Sequence, residues 1–150
     1  YLHCHYNSNY KYNQINEIMR EIRYRGIGIA ERKWVFGSLW FDTRNKATLI
    51  WSEELKYWVR VDPATVGQYT GLKDEHGKEI YEGDVIRSPL SEDKTRPHRI
   101  FYHTGNAAFM GALVDRKELC YLRLDQDWIY KFGKEVIGNI HDNPELLKNE

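Results

Sequence analysis

A mainly β fold, poor in α-helix, is what this chain of 150 residues predicts, and three observations predict it. Five Trp, eleven Tyr and five Phe make it aromatic-rich, a composition that suits half-buried pleated surfaces. Short runs alternate apolar and polar residues with a period of two. Clusters of Gly, Pro, Asn and Asp punctuate those runs. The expected architecture is a set of small twisted β-sheets, or a partly open SH3-like β-barrel, with a short C-terminal helix. At this length one domain can bury a real hydrophobic core.

Residues 1–18 differ from the rest. They hold four Tyr and four Asn and keep no period, so they read as an upstream extension before a start at Met19, with the β-rich domain at 19–150. Adjacent residues such as His3, Cys4 and His5 cannot easily supply three tetrahedral metal ligands. From Arg20 to Arg25, Ile22 and Tyr24 alternate with charged neighbours, which predicts a strand with those two side chains inward. A longer apolar strand follows over 34–41, interrupted at Gly37, and then come strands over 47–51 and 57–61. Asp62 and Pro63 end the last of these as the N-cap and first residue of a single turn.

The stretch 66–86 has the most specific local grammar. Gly77 supplies the positive φ that a tight hairpin loop needs, and Asp74 can accept a hydrogen bond from the backbone two residues on. Regular alternation beyond the loop would put Ile80 with Glu82 and Asp84, so a bend is expected at Gly83 before the apolar strand that follows. The polar run 88–97 reads as a loop. Strands are expected over 98–103, 107–114 and 119–124, a short helix near 125–132, and a closing strand over 135–140. Asn143 and Pro144 then open a terminal helix.

Charge excludes some functions and leaves others open. Lys plus Arg equal Asp plus Glu at 22 each, without the basic excess usual in a sequence-independent nucleic-acid binder. The distribution is less even, because residues 19–60 carry nine basic and five acidic side chains. Two distant cysteines form neither a disulfide framework nor a CxxC metal motif. No apolar run reaches membrane-spanning length, and the expected location is the cytoplasm. No P-loop, GxGxxG, G-x-S-x-G or H-E-x-x-H motif is present, and no cofactor or metal is expected.

Two groups of residues are candidates for chemistry. Arg20, Arg23 and Arg25, with Lys94, Arg96, Arg99 and Tyr102, set cations beside aromatic rings, as a nucleic-acid surface would. Asp74, Glu82 and Asp84 could form an acidic site, and an enzyme reading rests on them alone. Turn chemistry accounts for the same three residues as scaffold. His98 and His103, five apart on one strand, point to opposite faces and read as surface or edge residues.

Three blocks carry a resemblance to a known family. They are Arg20 to Gly26 with Lys33 to Gly37, Val61 to Asp74 continuing through Glu82 to Val85, and Glu135 to Leu147. Their order and wording resemble the YopX-like proteins of temperate phages and prophages. The resemblance implies such an origin and a mainly β fold, and it carries no catalytic residues. The expectation is a phage or prophage accessory protein of the bacterial cytoplasm, acting as a non-enzymatic binding or assembly module. Its partner would be a protein or a second copy of the chain. Nucleic-acid binding is the alternative.

Overall fold

The structure is a computed structural model and describes residues 20–89, 96–114 and 121–147. Its strands are β1 (Tyr24–Ile27), β2 (Trp34–Asp42), β3 (Ala47–Ser52), β4 (Tyr57–Arg60), β5 (Gly67–Lys73), β6 (Glu79–Tyr81), β7 (Asp84–Arg87), β8 (His98–His103), β9 (Ala108–Leu113), β10 (Tyr121–Arg123) and β11 (Glu135–Asn139). Among the described residues one α-helix, α1 (Gln126–Lys131), precedes β11. The strands make two antiparallel sheets, ordered β4-β3-β2-β1-β5-β6 and β10-β9-β8-β7-β11. The fold is mainly β, as expected, and neither sheet closes into a barrel.

The first sheet comes close to closing. After β4 the chain returns to β1: Val61 bridges Gly28, Ile29 N donates to the Arg60 carbonyl, and Asp62 N donates to the Ile27 carbonyl. Strands β1 to β4 therefore curl around a small core of Val35, Ile50 and Val61, packed by Tyr24, Val59 and Val66. The predicted turn at Asp62 is present as a 3-10 turn, Pro63–Thr65, and Asp62 Oδ1 accepts from Ala64 N at 3.0 Å.

The second core is larger. Ile80, Ile86, Ile100, Phe109, Leu124 and Ile129 are buried, with Leu72, Trp128 and Val136 against them. Helix α1 supplies Ile129 and covers one face of the second sheet. Asp125 caps this helix, its Oδ1 accepting from Trp128 N at 2.7 Å. Burying Ile129 completely is the return on fixing those few helical residues.

The hairpin between β5 and β6 has its expected turn, and the chain bends at Gly83, where φ is 82°. That glycine takes a left-handed conformation costly to other residues and starts β7 in the second sheet. Three expectations need correction. Ile22 is 59% exposed, while Arg25 is buried at 8%. Hydrophobicity alone assigned the inward face, but a carboxylate from a distant strand draws Arg25 inside. The terminal element is a 3-10 turn, Pro144–Leu147, within the described residues. There Asn143 Oδ1 accepts from Asn139 N, which holds the turn against β11. His98 is buried at 6%, because α1 lays Trp128 edge-on across its ring.

Candidate functional site

The carboxylates that could have formed an acidic site are occupied by the fold. Asp74 is buried; its Oδ1 accepts from His76 N and Lys78 N, both at 2.9 Å, and its Oδ2 from Val136 N at 3.1 Å. It fastens the hairpin to β11. Glu82 accepts from Gln68 N through Oε2 and from Tyr102 N through Oε1, tying the first sheet to β8. Asp84 accepts from Tyr81 N at 2.8 Å and from the Arg25 guanidinium at 2.6 Å. Burial pushes the Asp84 carboxyl above the usual range, against the pull of Arg25 and of the Tyr81 amide. Each of the three acts as an acceptor for backbone or for Arg25. A different trio converges among the described residues: donor atoms of Glu75, His76 and Glu135 lie within 4.8 Å of one another. Arg87 also approaches Glu135, at 3.6 Å, so the group reads as an ion cluster clasping the hairpin tip to β11.

The candidate cations do not form one surface. Arg25 lies between the rings of Trp34 and Tyr81, 4.7 and 5.0 Å from their centroids, and pairs with Asp84 across the two sheets. Arg23 pairs with Glu79 and Glu21 and stands over the Tyr69 ring. Arg20 stands 5.3 Å from the Phe109 centroid, beside Tyr102, whose ring meets Phe109 edge-on. Arg99 projects from the other face of β8, alternate to Tyr102. Arg96 is half-buried just before β8, and Lys94 lies outside the described residues.

What the sequence reading missed is an aromatic face on the outside of the curled sheet. Pairing sets Ser38, Trp51 and Trp58 in one row and Trp40, Leu49 and Arg60 in the next. These rows share a face, opposite the core residues Ile50 and Val59. Trp58 meets Trp51 and Trp40 edge-on, with centroids at 5.6 and 5.8 Å. Trp40 is 56% and Trp58 43% exposed, and Phe36 on the same face is 44% exposed. Strand β4 is last in the sheet order, its outer side bonded to Ile29 N at the Arg60 carbonyl, and Tyr57 on it is 50% exposed. A cleft of about 610 Å³ opens next to it, between the β1–β2 and β3–β4 turns, lined by Ile29, Leu55 and Tyr57 among others. The signal was present as the apolar run 34–41. A curled sheet buries only the inner side of such a strand, so the outer side of this run stays exposed.

On the C-terminal side, His141 and Asp142 pack under Trp34. Trp34 Nε1 donates to Asp142 Oδ2 at 2.7 Å, and the His141 ring lies 6.0 Å from that of Trp34. Burial, with Arg25 nearby, holds the His141 pKa below its ordinary value. For Asp142, burial is outweighed by hydrogen bonds from Asn139 and Trp34, and its pKa lies below the usual carboxylate range.

Comparison with known proteins gives a family and a fold. No curated protein sequence matches the chain significantly. Among solved structures, the crystal structure of protein EF1440 from Enterococcus faecalis is similar, with a TM-score of 0.55 and 26% identity. That match covers 87% of this chain and 100% of the other. The sequence model of the YopX protein family matches residues 6–148, nearly the whole length, and this chain therefore belongs to the YopX family.

Proposed function

We propose that this protein is a non-enzymatic assembly module that pairs with a second copy of itself through β4 and the outer aromatic face of the first sheet. The observation that carries this reading is the cluster of exposed Trp40 and Trp58 with half-buried Trp51, beside an edge strand. An edge strand offers unpaired backbone groups, and a neighbouring aromatic face offers apolar area that water solvates poorly. Two copies meeting around a two-fold axis would cover both at once. The balance of 22 basic against 22 acidic residues supports the same reading, because no net charge opposes self-association.

The family resemblance supports placing the module as a phage or prophage accessory protein working in the cytoplasm of a bacterial host. Among the described residues no helix is long and apolar enough to cross a membrane. Light scattering over a range of protein concentrations tests the assembly. The expected result is a dimer at micromolar concentration and a monomer for the Trp40→Ala, Trp58→Ala double variant. A monomer at every concentration, or a dimer indifferent to both substitutions, overturns it.

A further inference from the structure

We infer that the outer side of β8 to β10 in the second sheet binds single-stranded nucleic acid, with Phe101, His103 and Tyr121 meeting bases and Arg99 and Arg123 meeting phosphates. This surface is separate from the assembly face, and the inference does not depend on assembly. The main core cluster and the helix lie on the side where Ile86, Ile100 and Phe109 point. On the other side Val85 and Met110 are buried, while the rings and arginines beside them keep part of their surface in solvent. By alternation, Arg99, Phe101 and His103 on β8 point to the other side. The register continues that face across the sheet, with Arg99 opposite Ala112 and Ala112 opposite Tyr121, then Phe101 opposite Met110 and Met110 opposite Arg123.

The rings form a connected group over the small middle strand. Tyr121 lies 5.0 Å from both Phe101 and His103, and Phe101 lies 6.1 Å from His103. All three are half-buried, so each ring keeps part of its surface in solvent. Base faces stack on such rings with little regard for sequence, and a duplex hides the faces that would stack.

The charges select a polyanion. Strands β8, β9 and β10 contain two arginines and two histidines and not one Asp or Glu. Arg99 and Arg123 are exposed, and neither makes an ion pair among the described residues. Arg99 stands 5.9 Å over the Phe101 ring, beside a recess lined by Glu82, Ile140 and His141. The Glu82 carboxylate in that recess is already taken by two backbone amides. Neutral overall charge therefore coexists with three neighbouring strands whose own formally charged side chains, Arg99 and Arg123, are both cationic.

Titrating the full chain with labelled oligothymidine and oligouridine of about 12 nucleotides, and with a matched duplex, tests the inference. The expected result is single-strand binding that weakens with salt. For two phosphate contacts the log–log slope is about −1.4, and Arg99→Ala or Arg123→Ala should each flatten it by about 0.7. Loss of one stacking ring in Tyr121→Leu, which keeps apolar bulk, should weaken binding roughly tenfold. Lys78→Ala, which removes a cation from the hairpin tip, should leave affinity unchanged. Absence of binding at low salt, equal affinity for duplex, or indifference to all three platform substitutions would overturn the assignment.

Discussion

The first sheet seals its core by curling and the second by laying a helix across one face. The difference decides what each leaves outside. Curling gathers Val35, Ile50 and Val61 inward and turns Trp40, Trp51 and Trp58 outward. Covering with α1 buries six core residues on one side of the second sheet and leaves Arg99, Phe101, Tyr121 and Arg123 on the other. One exterior is rich in tryptophan beside a partly bonded edge strand, and the other is aromatic with cations. The same residue classes, set on two kinds of sheet, thus present chemistry for two kinds of partner.

The two sheets also depend on a joint between them, and breaking it should have the largest effect. Asp84→Ala leaves Arg25 buried without its carboxylate, and should cost about 3–5 kcal/mol in urea denaturation. A loss under 1 kcal/mol would mean that the sheets hold together without this pair. Next come the cores. Ile129→Ala and Ile50→Ala both remove side chains with 0% exposure, and each should cost about 2–5 kcal/mol. The larger loss is expected for Ile129, whose site is enclosed by helix and sheet and has less freedom to collapse. Equal or reversed losses would erase the distinction between a covered core and a curled one.

Asp74→Ala tests the clasp between hairpin and β11. It strands three amide donors and should cost about 3 kcal/mol. Amide exchange at His76, Lys78 and Val136 should quicken with it. The smallest effect concerns pH. Folding lowers the His141 pKa, so the unfolded chain binds the proton more tightly. The stability this contributes is complete above the unfolded value near 6.5 and is lost as pH falls through the lower folded value. The melting temperature should therefore drop between pH 7 and pH 5, and His141→Asn should drop less. Parallel curves would remove His141 from the account.

Local chemistry was legible where the partner lies a few residues away. The cap at Asp62, the turn at Asp74 and Gly77, and the bend at Gly83 each follow from one short stretch. Faces were legible only where both sides of a strand differ in polarity. Arg99, Phe101 and His103 can be placed together by period two, but Tyr121 joins them only through the register of β9 with β10. Arg25 was misplaced because its inward position depends on Asp84, 59 residues away. The apolar run of β2 was legible as a strand, but alternation cannot tell its inner face from its outer one when both carry large side chains. Pairing of β1 with β5, which makes one sheet of two hairpin systems, has no local signal at all.

Amide hydrogen exchange across a range of protein concentrations tests the assembly claim most directly, because it reports both association and its location. Protection over Tyr57–Arg60, rising with concentration while β8 and β9 stay constant, is the predicted result. Exchange in β4 that is fast and independent of concentration would contradict the claim.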